Sequence, residues 1–234
     1  MFHRDGPTFL ELAKQALSST ARGYDLLAPK FDATPFRTPD EILEVAAQYF
    51  GHVSRSLDVC CGTGAGIRFL RTASRQVVGF DFSEGMLLEA RKRTADAPGD
   101  APIRFVRGDA RSMPFEGEFE LATCFGALGH FVGEDQELFV AAIARALAPG
   151  GRFLFVSAHA PPVASLRWLF ASTFNAAMHV RNAIWKPPFI MYYLTFLLPE
   201  VEALLARHGF TTCIGTRPFP HPFGAARLVI ATKT

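Results

Sequence analysis

The sequence has no polybasic block. Lys and Arg number 24 against 22 Asp and Glu, a net charge of +2 over 234 residues. That balance does not point to nucleic acid as a partner. Cysteine is scarce: four residues, of which Cys60 and Cys61 are adjacent. This is not a disulfide framework, and the cytosol is the default compartment. No CxxC or HExxH pattern occurs, so no metal is assigned, and Cys60 and Cys61 read as reduced core thiols. Met1 to Leu10 carries Arg4 and Asp5 and lacks the apolar core of a secretory signal. What is present is 49% hydrophobic and 20% charged residues, enough for a sizeable core, at a length that suits one domain.

The most informative stretch runs from Ser56 to Gly66. Leu57 to Cys61 is a short apolar run that reads as a buried strand. Gly62, Gly64 and Gly66 follow at every second position, and Ile67 to Arg71 opens a helix. Strand, glycine turn and helix make the first half of a βαβ unit. Glycine lets a ligand approach the main chain, and the helix N-terminus aims free N–H groups at it. Asp81 ends the next apolar run, Gln76 to Phe80, where such folds place an acid on ribose hydroxyls. The constellation points to a nucleoside-containing cofactor.

Along the chain, helical spacing covers Phe9–Ser18. Tyr24–Asp32, with its Tyr-Asp and Phe-Asp pairs, reads as a segment crossing the mouth of a site. Asp40–Phe50 reads as a helix stopped by Gly51. Strands are expected at 57–61, 76–80, 103–107, 119–125 and 152–157. Helices are expected at 65–72, at 84–94 behind a Ser83 cap, at 135–147 before Pro149-Gly150-Gly151, and at 200–208. Phe210–Thr216 and Ala226–Thr232 read as a closing hairpin. This alternation predicts an α/β, Rossmann-like, doubly wound sheet of seven mostly parallel strands with a C-terminal antiparallel hairpin, N-terminal helices and a helical lid insertion. The expected division is a helical cap at 1–50, a cofactor-binding core at 51–157, a lid at 158–199, and a last helix and hairpin at 200–234. Ligands of such sheets sit at the carboxyl ends of the strands, where Gly62, Asp81, Asp109 and the Phe125–His130 loop converge.

These motifs together resemble the class I S-adenosylmethionine-dependent methyltransferases. Leu57 to Gly64 is similar to the family's first motif, Val78 to Leu87 to its second and Gly108 to Phe115 to its third. Leu147 to Phe153 is similar to the turn before its fifth strand. Cys-Cys-Gly-Thr-Gly and the Tyr24-Asp25 pair are also similar to the quinone-biosynthesis C-methyltransferase branch. The family often has glycine where this chain has Cys60, which allows a wider turn. The resemblance implies S-adenosylmethionine as cofactor. It places Gly62 and Gly64 against the methionine moiety and ribose, with Asp58 orienting that loop or the amino group. Asp81 would accept from the ribose hydroxyls and Phe82 cover an adenine face. Asp109 would accept from the adenine amino group beside a backbone donor at Ala110. Met86 and Phe125 complete the set.

A sulfonium donor leaves as a neutral thioether, so transfer is mostly a matter of alignment. A base is needed only where the nucleophile arrives protonated. His130, after the fourth strand, is the leading candidate, followed by His159 after the fifth and by Tyr24 as a gate over the sulfonium. The expected acceptor is small and apolar or aromatic. Two alternatives stand beside this. A nicotinamide-dependent oxidoreductase would need glycine at position 67, where Ile67 stands. A non-catalytic lipid- or membrane-surface-binding protein could keep the same fold. Ala158 to Pro199 contains no acid and holds both tryptophans, Trp168 and Trp185. Its longest uncharged runs, Trp168–Val180 and Pro187–Pro199, are 13 residues each, and a spanning helix needs about 20. The segment reads as a lid. It either packs into the core, lines a deep apolar pocket with Phe170, Trp185 and Tyr192, or meets anionic lipid through Arg167, Arg181 and Lys186.

Overall fold

The computed structural model describes residues 6–234. The first five residues of the expected cap, with Arg4 and Asp5, lie outside the described residues. Seven strands form one sheet: β1 (Val53–Val59), β2 (Ser74–Asp81), β3 (Ile103–Arg107), β4 (Phe119–Cys124), β5 (Leu147–Ala158), β6 (Phe210–Ile214) and β7 (Ala226–Lys233). Their order is β3-β2-β1-β4-β5-β7-β6. The first five run parallel, and β7 pairs antiparallel with both β5 and β6. The direction of winding reverses between β1 and β4, which is where ligands of doubly wound sheets bind.

The helices are α1 (Phe9–Ala16), α2 (Thr20–Leu27), α3 (Asp40–Ala47), α4 (Ala65–Ala73), α5 (Glu84–Thr94), α6 (Glu134–Ala146), α7 (Leu166–Ile184) and α8 (Glu200–Arg207). Local sequence explains their starts. Ser83 accepts from the Met86 N–H and caps α5, and Thr8 with Glu11 closes a reciprocal capping box on α1. The Tyr24–Asp32 segment is helical, α2 running on into a 3-10 turn over Ala28–Ala33.

One apolar cluster lies between the sheet and α6 and α8, with Leu57, Phe119, Phe139, Phe153 and Phe155 fully buried. A second, with Ile67, Leu70, Phe50 and Leu154, fills the space toward α3 and α4. β5 starts earlier than its apolar run suggests. Leu147 already pairs with Phe119, and the register then shifts before Leu121 meets Arg152. The extra residues include Pro149, which cannot donate to a ladder, and Gly150 at φ +74°.

Phe139 is the hub of the aromatic packing. It stacks on Phe131 at 4.1 Å and meets Phe153 at 6.0 Å and Phe196 at 5.8 Å. It thus joins α6, the loop after β4, β5 and the lid. Truncating a fully buried aromatic costs about 3–5 kcal/mol. Phe139→Ala is expected to lower unfolding stability by about that amount, read as a shifted urea midpoint at unchanged slope.

Candidate active site

The carboxyl ends of β1, β2 and β4 open into a cavity of about 100 Å³ that widens into a solvent-open mouth. β1 contributes Asp58 and, in the turn after it, Cys60 to Thr63. β2 contributes Asp81 and the adjoining Phe82, and α5 adds Met86. β4 leads into Phe125 to Ala127 and His130. The cap supplies Tyr24, Phe31 and Phe36 to Thr38, and the lid adds Met191.

Asp81 is the anchor of the turn. One carboxylate oxygen accepts the Gly62 N–H and the other the Ser83 N–H, both at 2.9 Å. Burial pushes its pKa up to about 6 against those bonds. Asp58 is buried beside it and accepts the Thr123 hydroxyl at 2.7 Å. Burial, with Asp81 adding repulsion, pushes Asp58 up to about 7. Gly62 sits at φ +52° with open space where a Cβ would stand, so its backbone lies bare toward the cavity. Cys60 also adopts a left-handed backbone, φ +56°, a conformation that favours the glycine often found there in the resembled family. The cavity brings Asp58, Gly62, Asp81, Phe82, Met86, Phe125, Tyr24 and His130 together.

Gly64, Asp109, Ala110 and His159 do not line it. Gly64 begins α4 at φ +86°, with Thr94 only 2.7 Å from its Cβ position. Asp109 is exposed and paired with Arg111 at 2.6 Å, and that guanidinium holds its carboxyl below the ordinary range. Ala110 is buried in the main core cluster, and His159 is exposed beside Leu198. Of the lid residues expected against an acceptor, Phe170 and Trp185 are exposed, and Tyr192 is buried but bonded to Asn182.

Tyr24 and His130 form a hydrogen-bonded pair. His130 Nδ1 donates to the Ile190 carbonyl, which can only accept. Nε2 therefore carries the lone pair and accepts from the Tyr24 hydroxyl at 2.8 Å. Burial lowers the His130 pKa and raises that of Tyr24, so both are neutral near pH 7. Two further acids escape a motif reading. Asp25 accepts from the Ser83 hydroxyl at 2.6 Å and the Gly85 N–H at 2.9 Å. Asp32 accepts from the Thr63 hydroxyl at 2.5 Å. Both fasten the cap onto the cofactor turns, and their only sequence signal is the pairing with Tyr24 and Phe31.

The methyltransferase-domain family matches residues 57–151, from within β1 to the turn inside β5. The demethylmenaquinone methyltransferase of Thermus thermophilus is 32% identical over 167 residues, covering 67% of this chain and 74% of that protein. The chain belongs to the class I S-adenosylmethionine-dependent methyltransferases. The demethylmenaquinone methyltransferase of Clavibacter sepedonicus is 37% identical over 118 residues, 48% of this chain, and there the alignment spans only 44% of that relative's length. Among solved structures, magnesium protoporphyrin IX methyltransferase of Synechocystis PCC 6803, with bound S-adenosylhomocysteine, superposes with a TM-score of 0.58 at 19% identity. That match covers 83% of this chain and 81% of the other and shows a shared fold.

The cavity of this methyltransferase suits its family's cofactor. Two buried carboxylates with raised pKa values favour a ligand that brings cationic and hydroxyl groups, and S-adenosylmethionine carries a sulfonium, an ammonium and two ribose hydroxyls. Asp81 and the bare Gly62 turn would hold the ribose side, and Asp58 the charged end. Among the described residues, no group of three or more His, Cys, Asp or Glu could hold a metal ion. Ile67, in place of the glycine a nicotinamide fingerprint needs, is fully buried.

Hydrogen bonds to charged groups are worth about 1.5–3 kcal/mol. Asp81→Ala is therefore expected to weaken S-adenosylmethionine binding on the order of tenfold to a hundredfold by calorimetry. A cation favours the ionised carboxylates, whose pKa values are raised in the free site. Affinity should accordingly weaken as pH falls through 7 to 6, with protons released on binding in that window. Affinity that stays flat from pH 8 to about 5.5 would count against Asp58 and Asp81 as the cofactor's anionic partners.

Proposed function

We propose that this protein methylates a small, largely apolar aromatic acceptor of the quinol or phenol type, and that Tyr24 and His130 accept its hydroxyl proton. The observation that carries the reading is the Tyr24–His130 pair on the wall of the cofactor cavity. The wall supports the acceptor class, because Phe31, Phe36, Phe82, Phe125 and Met191 give it apolar and aromatic surface. Its guanidinium, Arg37, is tied to Asp40 at 2.6 Å. The names of the demethylmenaquinone methyltransferases support the same class.

Bound S-adenosylmethionine supplies an electrophilic methyl group. The protein's residues do the rest. Phe82, stacked edge-on to Tyr24 at 6.1 Å, and Phe31 hold a flat apolar ring in place. Tyr24 Oη takes the acceptor's hydroxyl proton while passing its own to His130 Nε2. The Ile190 carbonyl, bonded to Nδ1–H, steadies the imidazolium that forms. The imidazolium gives this proton up to solvent once product departs, which restores neutral Nε2 for the next turnover. All four cysteines are free, which supports a cytoplasmic setting. No helix is long and apolar enough to cross a membrane among the described residues. A lipophilic acceptor implies peripheral contact with lipid, and the lid is the surface for it.

Proton transfer by a placed side chain contributes about 10²–10⁴-fold. His130→Ala is expected to lower kcat by about a hundredfold or more, and Tyr24→Phe by at least about tenfold, both with cofactor affinity kept. At saturating cofactor the wild-type rate should fall only below the ordinary imidazole range, because burial lowers the His130 pKa and keeps Nε2 unprotonated to more acidic pH. Full turnover of His130→Ala from about pH 6 to about pH 9 would leave alignment as the whole mechanism.

A further inference from the structure

α7 carries a second apolar face outward. It spans 19 residues, about 28 Å at about 1.5 Å each, and Ala171 is its one buried residue. Leu166, Phe170, Thr173, Ala177, Val180 and Ile184 follow one another at alternating steps of four and three, which places them on one face. That face is exposed along its length: Leu166 is 85%, Phe170 65%, Val180 59% and Ile184 73% accessible. Two asparagines point the other way. Asn175 bonds both the N–H and the carbonyl of Tyr193. Asn182 does the same for Phe189 and also donates to the Tyr192 hydroxyl. Arg181 is spent on the carbonyls of Ala16, Ser18 and Pro187.

An apolar stripe of this length on the outside of a water-facing helix calls for a cover. The charges around it select one. Arg167 and Lys186 stand exposed at its two ends, and no Asp or Glu occurs from Ala158 to Pro199. Arg181 holds α7 against the end of α1, where Leu17 is also exposed; Phe9 and Leu10 are exposed at the start of α1. The one acid of α1, Glu11, is bonded to Lys30 at 2.7 Å. A second copy of the chain fits poorly. Pairing two α7 stripes about a twofold axis sets Arg167 against Lys186 if they run antiparallel, or each cation against itself if parallel, with no acid on this segment to offset them. A bilayer surface carrying anionic headgroups supplies an apolar layer for the stripe and negative charge for its ends.

We infer that α7 lies flat on anionic lipid, its Leu166–Ile184 stripe in the acyl boundary and Arg167 and Lys186 on the headgroups. The inner face then links lipid to the site. Asn175 and Asn182 grip residues 189–193, where the Ile190 carbonyl sets the His130 tautomer and Met191 lines the cavity. Only this benefit for turnover rests on the proposed apolar acceptor; the docking does not.

The test uses the full chain with phosphatidylcholine vesicles, with and without phosphatidylglycerol. Both tryptophans of the protein, Trp168 and Trp185, lie on or at the end of α7, so intrinsic emission reports on this helix alone. Co-sedimentation with the anionic vesicles and a blue-shifted emission are expected. Arg167→Gln with Lys186→Gln should weaken partitioning about thirtyfold. Phe170→Asp with Ile184→Asp should abolish it at an unchanged melting temperature, since both side chains are exposed. No sedimentation with anionic vesicles, or undiminished binding by the Asp variant, overturns the inference. So does a dimer in velocity sedimentation that the Asp variant dissolves while vesicles are ignored. Turnover of a detergent-solubilised quinol separates the two readings. Vesicle binding without turnover counts against the acceptor, and turnover without vesicle binding counts against the docking.

Discussion

The site depends on the hydrogen bond from the Gly62 N–H to the Asp81 carboxylate. It forms only if β1 and β2 hold one register, with Asp58 opposite Gly79 and Val59 opposite Phe80. That register continues as the Cys61 N–H reaches the Phe80 carbonyl at 3.1 Å. Position 79 carries no side chain because Ile67 already fills the space: a Cβ there would stand 2.6 Å from Ile67 Cδ1. The packing of α4 on the sheet therefore sets the alignment that brings Asp81 to the glycine turn. Burying two carboxylates at neighbouring strand ends is costly in the empty site. The cost appears as raised pKa values, and it also makes the cavity selective for a cationic, hydroxyl-bearing ligand.

Three layers meet at this turn, and polar contacts fasten them there in addition to the apolar packing of Phe196 and Leu198 in one core cluster and of Ile42, Ala46 and Phe50 in the other. The sheet supplies Asp58 and Asp81. The cap is pinned by Asp25 on Ser83 and Gly85 and by Asp32 on Thr63. The lid is pinned by the Ile190 carbonyl on His130 and by the Tyr192 N–H on Gly129.

The sheet was largely legible because its strands are short apolar runs between glycine turns, and Ser83 announces its helix. The convergence of Gly62, Asp81 and the Phe125–His130 loop followed from topology, whereas Asp58 followed only from the family resemblance and Asp109 stands outside the cavity. The side-chain partners followed from neither. Asp109 reads as a strand-end acid, yet Arg111 two residues on folds back to it, a rotamer choice no spacing encodes. The Tyr24–His130 pair joins residues 106 apart, so each could be named as a candidate while their bond could not. In the lid, the aromatics do not follow the helical period. The regular stripe of α7 mixes Leu, Phe, Thr, Ala, Val and Ile, whereas the tryptophans sit off it.

The arrangement of α7 follows from what its inner face must do. Residues 185–199 have almost no regular structure, and their backbone polar groups need partners near a buried site. Asn175 and Asn182 provide them, each offering a donor and an acceptor to one residue. Without Asn182 the N–H and carbonyl of buried Phe189 would be unpaired, at about 1–3 kcal/mol for each buried group. Ala171, Trp168, Phe174 and Met178 share the inward side with the two asparagines, and the rest of the helix's apolar surface lies outward. The stripe is thus the counterpart of the clamp. A helix that only closed the site could have carried lysine and glutamate outward; this one carries leucine, phenylalanine, valine and isoleucine between two cations.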